Sequence, residues 1–138
     1  MDKTETLNRL RLAAGAAGAY MGAFVGGWDG LMVALVSFMA LDYITGVLCA
    51  ISERKLSSAI GFRGICRKAL ALLLCGAAHL LDEYVTGDGS VLRTAVVCFY
   101  LSNEGLSLLE NVTKLGLPVP EKLKNVLSQT GKEEEICK

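Results

Sequence analysis

The chain has 138 residues, with 14 Lys and Arg against 14 Asp and Glu, 52% hydrophobic residues, 15 Gly and only 2 Pro, and a mean hydropathy of +0.43. That length fits one domain, the apolar content excludes a disordered chain, and the balanced charge argues against a nucleic-acid binder working through a basic surface. The charged residues crowd into the N-terminus, residues 53–68 and everything after Lys114, so the composition predicts an all-α, small polytopic membrane protein: one membrane domain over residues 1–127 and a charged tail over 129–138.

The first apolar run, LAAGAAGAYMGAFVGGW at residues 12–28, predicts a helix over about 7–28, but its Gly and Ala make it only weakly hydrophobic. Arg9 and Arg11 before it are compatible with a secretory leader. Asp2, Glu5 and the lack of a Leu-rich core argue against one. Gly18, Gly22, Gly26 and Gly30 recur every four residues and predict a helix face without side chains where two backbones touch, either inside the chain or between copies. Met21 lies in this run, so initiation there would remove most of it.

The second run, residues 31–51, is the strongest and predicts a span over 31–52, interrupted only by Asp42. An acid at that depth serves a proton or ion path, a pore wall, or a polar bond between helices. The third run, residues 69–81, is short. It predicts a helix over 62–84 that crosses only if Arg67 and Lys68 snorkel to one surface while Asp82 and Glu83 reach the other. His79 on that helix reads as a hydrogen-bonded interface residue rather than a ligand or relay.

The fourth helix, predicted over 91–115, is amphipathic. Arg93, Tyr100, Glu104, Ser107, Asn111 and Lys114 fall on one stripe at helical spacing, and Asn103 and Glu110 widen it. Such a stripe must face protein or water, and pairing between copies or an arrangement around an aqueous hole would satisfy it. A short amphipathic helix over 119–128 follows, before the tip GKEEEICK.

Lys and Arg cluster before the first run, between the second and third, and after the fourth, whereas the other two connections are acidic apart from Arg93. Four crossings with both termini in the cytoplasm obey the positive-inside rule at every loop; three crossings with an interfacial first or fourth helix are the rival. Cys49, Cys66, Cys75, Cys98 and Cys137 are odd in number and lack metal or disulfide spacing. No nucleophile stands at motif spacing from a base, so neither an enzyme nor a cofactor or metal is expected.

The blocks LDYITG (41–46), LSSAIGFRGICRK (56–68), HLLD (79–82), FYLSNEGLSLLEN (99–111) and LGLPVPEKL (115–123) together resemble the phage-lysis and toxin-secretion holin family of Gram-positive phages and prophages. Asp42, Gly46, Gly61, Gly64, Lys68, Asp82, Asn103, Glu104, Ser107, Glu110, Asn111, Pro118 and Pro120 match its pattern. The resemblance implies a multi-pass protein of the bacterial cytoplasmic membrane that oligomerises into nonspecific lesions releasing an endolysin or a toxin. Its implied partners are the bilayer, further copies of itself and the released cargo, with no nucleic acid. A small channel or transporter using Asp42 and Glu104, and a non-conducting antiholin or scaffold, are the alternatives.

Overall fold

The computed structural model describes residues 2–87, 89–126 and 129. The charged tip with Cys137, and the last part of the expected 119–128 helix, lie outside the described residues; residues 121–126 are helical. The regular structure described is entirely helical: α1 (Lys3–Phe24), α2 (Gly30–Ser52), α3 (Ser58–Leu81), one π-helical turn (Asp82–Thr86) and α4 (Val91–Lys114). At 1.5 Å per residue each long helix measures about 33–36 Å, enough to cross a hydrocarbon core of roughly 30 Å. Two are also apolar enough by composition: Gly30–Ser52, and Ser58–Thr86, which is α3 with its π turn. The third span is thus longer than the expected 62–84. The Gly- and Ala-rich α1 and the striped α4 are less apolar.

Each helix ends for a local reason. Gly26 and Gly27 take positive φ (86° and 103°), which terminates α1 at Phe24 rather than near residue 28. Asp29 then caps α2, its carboxylate accepting from Met32 N at 3.0 Å. The expected continuous glycine face is therefore cut: Gly18 and Gly22 lie on α1, Gly26 in the turn and Gly30 at the start of α2. Gly22 is buried, and a Cβ there would press on the Trp28 indole, with Cδ1 at 2.6 Å. Trp28 folds back so that its Nε1 donates to Gly18 O at 3.1 Å.

α2, α3 and α4 form the packed body, α2 and α4 running parallel with α3 antiparallel to both. Val25, Met32, Leu35, Met39, Ala71, Cys75 and Val97 make its core. Small residues let the helices approach: a Cβ on Gly76 of α3 would run into the Phe24 ring. Large apolar side chains point the other way. Ile44, Leu48, Ile65, Leu73 and Leu74 are all about half exposed, the inverse of a water-soluble protein and the arrangement hydrocarbon favours. Among the helices, α1 packs only on α3, and residues 3–17 are exposed throughout.

One end of the body is held by Arg93, which is 3% exposed and was expected on a stripe facing protein or water. Its guanidinium donates to Asp29 Oδ2 at 2.7 Å and Oδ1 at 3.1 Å, to Gly27 O at 3.1 Å, and to Val25 O. Asp82 is buried too, rather than at a surface. Its two oxygens accept from Leu92 N (3.0 Å) and Arg93 N (2.8 Å), capping α4 where Ser90 offers no side-chain cap. His79 stands beside Gly26 and within 3.7 Å of Glu83.

The hydrogen bonds from Arg93 hold the Asp29 carboxyl below its ordinary value of 3.8, against the opposing effect of burial. A depressed carboxyl stabilises the fold above its unfolded value and loses that contribution as pH falls through the folded one. Acrylamide quenching of Trp28, the sole Trp, should therefore stay flat from neutral pH to near 3.8 and rise below it, and Asp29→Asn should abolish that transition. Gly22→Ala should raise the quenching at neutral pH by displacing the indole. Gly18→Ala, whose Cβ meets nothing within 4 Å, should leave it unchanged.

Candidate functional site

Asp42, Lys68 and Glu104 each lie ten residues from the end of their helix that faces the α2–α3 connection. That is about 15 Å along each helix, half the thickness of a hydrocarbon core. The three side chains meet there. Lys68 Nζ donates to Asp42 Oδ2 at 2.7 Å and to Glu104 Oε2, and all three are between 14% and 17% exposed. Lys68 turns inward to the two acids rather than outward, and α3, starting at Ser58, places it ten residues from the helix end.

Asn111, two turns beyond Glu104 on α4, completes the cluster. Its Nδ2 donates to Asp42 Oδ1 (3.1 Å), Asp42 O (3.2 Å) and Thr45 Oγ1 (3.0 Å), while Cys49 Sγ donates to Asn111 O at 3.3 Å. Thr45 also bonds back to Leu41 O at 2.8 Å. An isolated acid at this depth costs about 2.5–3.5 kcal/mol on the insertion scale; here the cation and the amide offset that cost within one chain.

The cluster is the floor of a cleft of about 420 Å³ between α2, α3 and α4. Glycines shape it. A Cβ on Gly61 would sit 3.3 Å from the Tyr43 hydroxyl, one on Gly64 4.0 Å from its ring, and one on Gly46 3.7 Å from Asn111 Nδ2. Asn103 and Ser107 line it too, Lys55 and Ser57 belong to the α2–α3 connection, and Arg67 adjoins Lys68 on α3. Of the other stripe positions, Tyr100 is half-buried, edge-on to Phe99 at 5.2 Å, whereas Glu110 and Lys114 are exposed, as are Pro118 and Pro120 beyond the helix. The stripe is thus divided: Arg93 serves one end of the body, and Glu104, Ser107 and Asn111 serve the cleft.

Sequence reasoning had Asp42 and Glu104 but not their shared cation, nor Asp29 as the partner of Arg93. An acid immediately before the second apolar run is an N-cap signal that could have found Asp29. Among the described residues, no group of three His, Cys, Asp or Glu side chains is placed to hold a metal ion, and Cys49, Cys66, Cys75 and Cys98 are in no disulfide.

Removing the cation alone should be the most damaging change in the cluster. Lys68→Met leaves two carboxylates facing each other and should lower unfolding stability in detergent by about 3–5 kcal/mol. Adding Asp42→Asn and Glu104→Gln to that variant should recover most of the loss, measured by circular dichroism across an SDS titration.

The bacteriophage holin family matches residues 19–132. An uncharacterised 14.9 kDa protein in the nagH 3' region of Clostridium perfringens is 43% identical, covering 75% of this chain and 79% of its own. An uncharacterised protein of Listeria monocytogenes is 41% identical over 86% of both chains. A protein named probable holin, from Bacillus phage phi105, is 39% identical over 58% of each. No solved structure matches. With the family match running through α2, α3, α4 and the whole cleft, the chain belongs to the bacteriophage holin family.

Proposed function

We propose that the chain acts as a phage-type holin, accumulating in the cytoplasmic membrane and then assembling into lesions through which an endolysin or a toxin leaves the cell. Family membership over residues 19–132 carries this reading, and the geometry supplies a device for it. A single copy turns its ionic groups inward and its Leu and Ile outward, so it rests stably in lipid. A lesion wall has the opposite need, polar groups against water. Conversion requires Lys68 to release Asp42 or Glu104 and α4 to turn its stripe, of which Asn103 and Glu110 are already exposed.

The placement consistent with the charge pattern puts the α2–α3 connection and the C-terminal residues on the cytoplasmic side, with three or four crossings. Arg93, the one cation at the opposite end, is neutralised by Asp29 at 2.7 Å. Oligomerisation through the exposed face of α1, including Gly18, belongs to the same proposal.

Efflux of a cytoplasmic reporter enzyme from induced Gram-positive cells tests the reading. The wild-type chain should stop growth abruptly and release the enzyme. Glu104→Gln, which weakens one arm on Lys68, should bring release forward modestly. Glu104→Leu with Asn111→Leu leaves Lys68 a single partner and removes the water-compatible wall, so that variant should accumulate in the membrane without release. Growth arrest by the wild type with ion leakage but no enzyme release would replace the lesion with a selective channel.

A further inference from the structure

We propose that the free half of α1 docks along α4 of a second copy of the chain, in a head-to-tail contact that repeats from copy to copy. Leu7, Leu10, Arg11 and Ala14 follow one another at i, i+3, i+4 and i+7, which places all four on one face of α1. Leu7 and Leu10 are more than half exposed. Arg11 is exposed and in no ion pair among the described residues. Among the helices α1 packs only on α3, and residues 3–17 are exposed, so the described residues leave this face uncovered.

α4 carries the counterpart. Leu106, Leu109, Glu110 and Thr113 repeat the same spacing and, with Lys124, line a groove of about 320 Å³. This is a different face of α4 from the one whose Glu104, Ser107 and Asn111 line the cleft. Glu110 is exposed, and it too forms no ion pair among the described residues. The two faces offer leucines to leucines and an arginine to a glutamate: a helix laid in a groove, with one pair of opposite charges to fix its register.

The two faces also match in height. Arg93 of α4 donates to Val25 O, just past the end of α1, so the end of α1 and the start of α4 stand level. From there Arg11 lies fourteen residues back along α1 and Glu110 seventeen residues on along α4, about 21 Å and about 26 Å at the helical rise. The membrane holds copies inserted the same way round at one level. An α1 running antiparallel beside a neighbour's α4 therefore brings Arg11 within one helical turn of Glu110, where each supplies the partner that hydrocarbon denies the other. Because α1 and the groove are different surfaces, a copy that has docked its own α1 still offers its groove, and the contact either closes into a ring or extends. The inference rests on the oligomerisation proposed above and names the surfaces that meet; the Lys68 cluster stays closed.

The test expresses full-length chains with two different tags and reads oligomers by amine-reactive crosslinking of isolated membranes, counting only chains that resist carbonate extraction. The wild type should give a ladder. Arg11→Glu and Glu110→Arg should each cut the species above the monomer roughly tenfold, because like charges then meet at every contact. Co-expressing the two single variants should restore the ladder in species that carry both tags, since each contact between unlike copies again joins opposite charges. Rescue only when both reversals sit in one chain would mean that α1 meets its own α4, and would overturn the inference. Arg9→Glu makes the same charge change on the opposite side of α1 and should keep the ladder; an equal loss there would mean a diffuse effect of charge and overturn the contact. An undiminished ladder in both reversals would overturn the contact and leave oligomerisation standing, whereas a wild type without a ladder would overturn both.

Discussion

Hydrocarbon offers a charge no solvent, so a chain that carries ions to mid-membrane depth must supply their partners itself. Lys68 is where this constraint is met. One ammonium draws carboxylates from α2 and α4 onto α3, and the rest of the body is arranged around that convergence. Leu and Ile face outward because the ionic groups occupy the interior, and Tyr43 of the ion-bearing helix lies closest to α3 at Gly61, where a Cβ would stand 3.3 Å from its hydroxyl. Buried ion pairs rarely add much net stability compared with an apolar replacement, and breaking one is expensive. Under the proposed function, the cluster is less glue than a choice between two arrangements, a closed chain or one whose ions have found water.

α4 joins the two charge systems. Near its start, Arg93 ties down the turn between α1 and α2; further along, Glu104 and Asn111 close the cleft. Its polar stripe would mark a surface helix in a soluble protein. Here the same stripe is an internal spine, and a rotation of α4 would act on both ends at once.

Much of this was legible in the sequence. The second and fourth helices fall within a residue or so of their expected limits, because one is a long apolar run begun by Asp29 and the other has strict helical spacing and ends before Gly116 and Pro118. Asp42 and Glu104 stood out because acids do not sit in such segments without a partner. Lys68 was misjudged for a definable reason. A helix thought to start near residue 62 puts Lys68 two turns from its end, within snorkelling reach; a start at Ser58 puts it ten residues in. The glycine repeat failed differently. A spacing of four reads alike whether the glycines line one helix or pass through a turn, and only the positive φ of Gly26 and Gly27 decides between them. No pattern in one sequence says that Asp82 caps a helix beginning nine residues later.

The attachment of α1 has a mechanical consequence. A rod of 22 residues, about 33 Å long at the helical rise, is held at its C-terminal end, by Phe24 against Gly76, by Trp28 folded back on Gly18 and Gly22 and by Arg93 on Val25 O and Gly27 O. It is a lever with its fulcrum at that end. Swinging it loads the Phe24 and Trp28 ring contacts and the Arg93 bonds to Val25 O and Gly27 O, and leaves the Lys68 cluster untouched. Under the proposed oligomerisation, α1 is the element that meets a neighbouring copy before the packed helices do, with the Lys68 cluster still shut.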